Sequence, residues 1–400
     1  MLAKAERVAR APSEADLMGR ARSLVPVLRE RALRTEQNRK LLPETVADFV
    51  AAGFYRILQP ARYGGYELSP LTLFRVVMEL AKGCPSSAWC LGLITVHNWE
   101  LALMEPKASE DVWGADPNTR FSSSYAPFGN VTRVEGGFRI SGRWSWSSGC
   151  DHCSWVILGG IAPRFEPNAP PDLRAFLIPR TDYEIVDVWN VMGLCGTGSN
   201  DIVVKDAFVP EHRTHQFAHS FMMADPGRGT FTSRNYKYPF GVIFAYSLST
   251  VALGMADGAL EAFRADMKGR LGAYDGAKAM EDPFVRHRLA EAEAIIRGLH
   301  TRIDANFAEM DRLIDNREAI PLNVRVRNKW DAQWIAKEAQ KAVELLFKAS
   351  GARGLRNESP MQRYFRDVHA ASNHAFLNAD KGSLNAGLFE LGGMTADFTL

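Results

Sequence analysis

The chain has 400 residues, of which 46% are hydrophobic, 10% aromatic and 24% charged. These are globular proportions, and they exclude disordered, fibrous and collagen-like classes. The 48 Lys and Arg against 46 Asp and Glu leave a formal charge of +2, too balanced for a general nucleic-acid or anionic-membrane surface. No window reaches the ~18 consecutive apolar residues of a membrane span, and the N-terminus lacks the continuous apolar stretch of a secretory leader. Five cysteines form no disulfide framework, so a cytoplasmic address is expected, with two or three domains.

Residues 14–42 read as mostly helical, with Leu17, Ala21, Leu24, Leu28 and Ala32 at helical spacing. Pro26 interrupts that stripe and predicts a kink or a fresh helix start. A second helix is expected from Pro43 to a C-cap at Gly53. Pro60 to Gly65 is a turn, followed by helices over Leu71–Ala81 and Ser87–Leu103. The second of these is apolar nearly all round and is therefore expected to be buried. From Arg120 to Val209 the pattern becomes short and period-two, punctuated roughly every 8–12 residues by Gly, Pro, Asn and Asp, which predicts an antiparallel sandwich or barrel. Residues 211–240 are irregular. Helical periodicity then returns in long pieces, over 284–314 and 322–349, which argues for a bundle.

Neither a P-loop nor a Rossmann fingerprint is present, and the glycines of Gly193-Leu-Cys-Gly196-Thr-Gly198 read as a turn. Cys150-Asp-His-Cys153 has no second pair at zinc spacing and reads as strand-end thiols, so no metal site is expected. His212, His215 and His219 lie in a stretch without periodicity and read as a solvated loop. The run Ser122-Ser-Ser-Tyr-Ala-Pro and Trp144-Ser-Trp-Ser-Ser-Gly149 put hydroxyls and indoles on adjacent β-segments. Such groups can bond the edge of a planar heterocycle and cover its face, although a half-buried strand looks the same. His97, His369 and His374 stand in apolar company, and an unperturbed pKa of ~6.5 makes a histidine available as a base near neutral pH.

The helix–β–bundle order, Gly53-Phe-Tyr-Arg-Ile-Leu-Gln-Pro with Tyr63-Gly-Gly, Gly142-Arg-Trp-Ser-Trp-Ser-Ser-Gly149, and Gly351-Ala-Arg-Gly with Arg363-Tyr-Phe-Arg-Asp367 together resemble the acyl-CoA dehydrogenase superfamily. Trp89, Val96-His-Asn-Trp99, Ser122–Pro127 and Trp146–His152 are similar to the group D flavin monooxygenases within it, the oxygenase halves of two-component aromatic hydroxylases. The resemblance runs from about Leu24 to Asp380. It implies a mainly α fold with a central β-barrel: a helical N-terminal domain (1–118), the barrel (119–225) and a C-terminal four-helix bundle (226–400), assembled as a homotetramer.

The resemblance also assigns residues. Ser123, Ser124, Ser147 and Ser148 would meet the isoalloxazine, Arg270 the flavin phosphate across an interface, and Gly351 and Gly354 belong to the glycine loop at that interface. Trp89 and His97 match the oxygenases' pocket tryptophan and histidine. His374 falls close to where many dehydrogenases carry a catalytic glutamate, but Ser372-Asn-His374-Ala375 offers no carboxylate. A histidine there suits a phenol, whose pKa of ~10 leaves it protonated at neutral pH. His374, His97 and Ser148 are thus the catalytic candidates. The implied reaction is ortho-hydroxylation of a phenol by reduced flavin (FMNH2 or FADH2) and O2 through a C4a-hydroperoxyflavin. The flavin would come from a separate NAD(P)H-dependent flavin reductase, since no nicotinamide fingerprint is present. Acyl-CoA dehydrogenase or oxidase chemistry, or oxygenation of nitrogen, sulfur or an indole carbon, are the alternatives. Neither nucleic acid nor a membrane is an expected partner.

Overall fold

The computed structural model describes residues 11–164, 171–271, 276, 278–395 and 397–400. The N-terminal part is helical: α1 (Glu14–Asn38), α2 (Pro43–Ala51), α3 (Pro70–Ala81), α4 (Pro85–Leu101) and α5 (Pro106–Trp113). A capping box between Ser13 and Asp16 starts α1, satisfying its first free N–H groups. No fresh helix starts at Pro26, and α1 runs through it as one helix. Proline forfeits one backbone hydrogen bond, but Leu17, Ala21, Val25, Leu28 and Ala32 are buried along one stripe on either side of it, and that packing holds the helix together. Gly53 closes the α2 segment with φ +77°, a left-handed position that glycine fills without strain.

The β region contains β1 (Phe121–Val134), β2 (Gly137–Ser147), β3 (Trp155–Ala162), β4 (Asp172–Pro179), β5 (Tyr183–Val186), β6 (Asn200–Pro210) and β7 (Thr214–Gln216). They form one seven-stranded sheet in the order β5-β6-β2-β1-β3-β4-β7. The sheet is mixed and open, with β5 and β7 at its edges, which corrects the expectation of an all-antiparallel sandwich or a closed barrel. The long strand β1 is the reason. Its C-terminal half pairs antiparallel with β2, and its N-terminal half pairs parallel with β3, with a register shift between Ser124 and Gly129. Because β2 ends beside the start of β1, residues 148–154 carry the chain round that end and β3 leaves in the same direction as β1. The turn after β2 therefore lies beside the start of β1, with Ser147 next to Ser122.

A short helix α6 (Phe217–Phe221) follows, then the bundle helices α7 (Phe240–Met267), α8 (Pro283–Asp315), α9 (Leu322–Ser350) and α10 (Pro360–Ser372), and last α11 (Ala379–Glu390). Helix α7 packs against α3, α4, α9 and α10. It is long and apolar enough to cross a membrane by length and composition, but 94% of its most apolar window is buried inside the protein, so its uniform hydrophobicity is that of a central core helix. Helix α4 is buried along its whole length between α3, α7 and β1.

Candidate active site

Helix α4 supplies three of the side chains. It starts at Pro85, the first helical residue, and its apolar surface keeps it in the core. His97 and Glu100 are one turn apart, so their side chains meet: His97 Nδ1 lies 3.3 Å from Glu100 Oε2. Trp89, two turns earlier, donates its indole N–H to Ser148 Oγ at 3.2 Å.

Ser148 sits at the end of β2, where Trp146 (φ +69°) and Gly149 (φ +72°) turn the chain. A non-glycine residue at such a φ carries strain of the kind that gathers at functional sites. Trp146 is also 61% exposed, and Phe128, 59% exposed, lies beside it with ring centroids 6.4 Å apart. The Ser148 hydroxyl shares a hydrogen bond with Ser199 at 2.8 Å, which joins Thr197 at 2.7 Å. Ser147 is wholly buried, its hydroxyl donating to Ser122 Oγ at 2.9 Å. Ser124 is buried too, donating to the Ser145 carbonyl at 2.7 Å. Ser123 stands half-buried on the face of β1 that also carries Phe121 and Tyr125, as the two-residue period of a strand requires.

His374 follows α10 and caps a short turn (Ala375–Leu377): its Nδ1 accepts the Phe376 backbone N–H at 3.2 Å. With that lone pair engaged, the neutral ring carries its proton on Nε2. Burial pulls its pKa down to about 4, because an imidazolium is poorly solvated among apolar neighbours. Those neighbours are Trp89, edge-on at 5.9 Å, and Phe244 at 6.5 Å. Phe244 also stacks with His97 at 5.9 Å. The structure therefore brings Trp89, Ser148 and His374 together, with His97 on the same aromatic cluster. His369 is elsewhere in role, bonded to the Phe365 carbonyl and to Glu344.

Arg270 and Gly351 form a second group, at the C-terminal ends of α7 and α9. Gly351 has φ +56°, and a Cβ there would lie 3.2 Å from Arg270 Nη2, so both backbone and space favour glycine. The Arg270 guanidinium reaches Asp266 at 3.4 Å. Beside it a groove of about 890 Å³ is lined by Asp266, Ser350, Arg353, Gly354 and Arg356, among others.

Sequence reasoning missed the polar network behind His97. His215, taken as part of a solvated loop, is 1% exposed. It bridges Glu100 Oε1 at 2.9 Å and Asp225 Oδ1 at 3.1 Å, and Arg228 pairs with the other Asp225 oxygen at 2.6 Å. Burial opposes its charged form, but its bonds to Asp225 and Glu100 outweigh that and raise its pKa to about 9. Burial likewise opposes ionisation of Glu100, and hydrogen bonds from His215 and His97 overcome it, bringing its pKa to about 2. Tyr125 donates its hydroxyl to Glu100 Oε2. The available signal was Glu100 itself, an acid inside an otherwise apolar helix, which demands a buried partner. His212 is also held, by Asp111 at 2.7 Å, and His219 alone is exposed. Cys84, Cys90, Cys150 and Cys153 are free and buried, with thiol pKa values raised by burial. Among the described residues no group of three or more His, Cys, Asp or Glu could hold a metal ion.

This architecture has counterparts. The N-terminal domain of acyl-CoA dehydrogenases matches residues 21–104 and their C-terminal domain residues 246–379, so the class is acyl-CoA dehydrogenase-like. The flavin-dependent monooxygenase oxygenase subunit HsaA of Rhodococcus jostii is 41% identical, over 94% of this chain and 98% of that protein. The oxygenase component of p-hydroxyphenylacetate 3-hydroxylase from Acinetobacter baumannii is 30% identical over 97% and 92%. The crystal structure of 3-HSA hydroxylase from Rhodococcus sp. RHA1 superimposes with a TM-score of 0.92 at 40% identity, covering 96% of this chain and 99% of that one. The chain belongs to the flavin-dependent monooxygenase oxygenase subunits of acyl-CoA dehydrogenase-like fold.

Proposed function

We propose that this chain is the oxygenase half of a two-component monooxygenase that hydroxylates a phenol ortho to its hydroxyl, using reduced flavin and O2. The observation that carries this reading is His374: a neutral imidazole, Nε2–H free, in an aromatic cluster beside the Trp89–Ser148 hydrogen bond. An acyl-thioester oxidation needs a carboxylate base in this segment, and 372–375 has none. A phenol needs its oxygen held and its proton accepted, which two histidines on one aromatic cluster can do.

The chain's own groups fit a flavin. The uncovered Trp146 and Phe128 rings beside Ser148 offer a face for a planar heterocycle. The half-buried Ser123 stands at its edge, whereas the Ser124 and Ser147 hydroxyls are spent within the sheet and the Ser148 hydroxyl on Trp89 and Ser199, which leaves those three positions chiefly backbone contacts to give. Arg270 over Gly351 suits a phosphate, FMN or FAD. Reduced flavin, when bound, supplies the electrons that activate dioxygen, one atom of which goes to the ring and the other to water. The buried Trp89 and the aromatic neighbours of His374 help keep water from that chemistry.

The Arg270 group stands apart from the Ser148 group along the chain's own elements, which suits one flavin held between two subunits and a homotetramer. Reduced flavin would come from a separate NAD(P)H-dependent reductase in the cytoplasm. The test is to supply enzymatically reduced FMN or FAD with oxygen and a panel of para-substituted phenols, and to look for catechols by mass spectrometry. Bleaching of bound oxidised flavin by an acyl-CoA, without catechol formation, would reverse the assignment.

A further inference from the structure

Behind the aromatic cluster lies a closed electrostatic unit. Glu100 and Asp225 carry two negative charges, and His215 and Arg228 carry two positive ones. From every side the groups facing His97 are now accounted for: Glu100 on its own helix, Tyr125 and Phe121 on β1, and Phe244 on α7, with His215 and Asp225 one contact further out. The four charges of this unit balance one another.

The hydrogen bonds around His97 fix its tautomer. The Tyr125 hydroxyl has one proton, and it is directed at Glu100 Oε2. His97 Nδ1 lies 3.3 Å from that carboxylate oxygen and 3.1 Å from the Tyr125 oxygen. Both now present lone pairs, so Nδ1 must carry the hydrogen. Nε2 is left with a bare lone pair, and among the described residues this buried nitrogen has no partner. An unsatisfied buried acceptor is costly enough that it calls for a donor. His374 has the opposite arrangement, with Nδ1 filled by Phe376 N–H and the proton on Nε2.

We propose that Glu100 is a positioning residue: by holding the Nδ1 hydrogen of His97 it leaves Nε2 as the acceptor of the substrate's hydroxyl proton, while His374 donates Nε2–H to the same oxygen. The inference rests on the phenol hydroxylation proposed above. The proton leaves the phenol oxygen for His97 Nε2, the O–H electron pair stays on oxygen as phenolate, and the new imidazolium charge faces the Glu100 carboxylate. His374 receives no proton and stabilises the phenolate by its hydrogen bond.

Selective 15N labelling of histidine, with His97 assigned by loss of its signals in His97→Asn, reads the tautomer directly and needs no substrate. In the wild-type holoenzyme Nδ1 should be protonated and Nε2 bare; the reverse tautomer would overturn the proposal. In Glu100→Gln the amide can donate as well as accept, so the tautomer should become mixed. Catechol yield per reduced flavin should then fall about 10²-fold, at the low end for a positioned base, with KM little changed. The loss should shrink as pH approaches the phenol's own pKa of ~10. An unchanged yield in a folded Glu100→Gln enzyme would sink the idea. Should that variant not fold, the wild-type spectrum decides alone, since a hydrogen on His97 Nε2 refutes the role given to Glu100. Failure of the wild-type chain to hydroxylate any phenol would strike the proposed function, and the nitrogen spectrum would still decide the role of Glu100.

Discussion

Replacing His215 by Gln removes the imidazolium that joins Glu100 to Asp225 and leaves Asp225 paired with Arg228 but Glu100 without its bridge. Breaking a buried ion pair from one side costs about 3–5 kcal/mol. An independent figure comes from proton linkage. The folded-state pKa is about 9 against ~6.5 for a free histidine, and at about 1.36 kcal/mol per pH unit this is worth roughly 3 kcal/mol. Because the folded value is raised, this stabilisation is fully present below about pH 6.5 and is lost as pH rises through 9. Glu100 and Asp225, both held below the usual carboxylate range, stay ionised across that window and add no slope of their own. The assay is unfolding by circular dichroism in urea at half-unit steps from pH 6 to 9.5, for wild type and His215→Gln. The difference between them should be near 3 kcal/mol at pH 6 and shrink toward zero by pH 9.5. A constant difference at every pH would mean that His215 only fills space, and the charge accounting around Glu100 would be wrong.

His374→Ala should retain flavin affinity but lose roughly 10- to 100-fold in catechol yield, the weight of one hydrogen bond to a charged oxygen; oxygen uptake should continue as hydrogen peroxide, and unchanged coupling would remove His374 from the site. Ser148→Ala strips the partner from the Trp89 indole and from Ser199, so peroxide should rise at the expense of product by about 1–3 kcal/mol in their ratio; identical coupling would show that the hydroxyl is structural. Arg270→Ala should weaken reduced FMN by roughly 10-fold or more and leave riboflavin unaffected, measured by anaerobic titration. Equal losses for both ligands would deny it a phosphate.

How far the sequence reached can be seen element by element. Helical periodicity located α3, α4 and α8 to within two residues, because a helix repeats its contacts every turn and the pattern is local. At Pro26 a local rule allowed a kink or a fresh helix start, and tertiary packing kept the chain in one helix without a new start. Helix α5 went unread, being short and of mixed composition. At the site, His97 and His374 stood out as imidazoles in apolar company, whereas Trp89 and the role of Ser148 came from the resemblance to the flavin monooxygenases. What each hydroxyl does was not visible: Ser147 and Ser124 face into the sheet while Ser148 and Ser123 do not, and period-two alternation alone cannot assign the faces of a strand whose partners are unknown.

The sequence by itself determined where the long helices α3, α4, α8 and α9 fall and that a β region separates the two helical parts. It also determined that no carboxylate stands at 372–375. Only the tertiary structure decided that the group neutralising Glu100 is His215, 115 residues away, from a stretch with no periodicity to mark it. It decided too that β1 pairs with β2 along one half and β3 along the other, and that His97 and His374 carry their protons on opposite nitrogens. The physical reason is common to all three. Burial, strand register and tautomer are set by what lies across the fold, and a hydrogen bond between distant residues leaves no repeat in the chain.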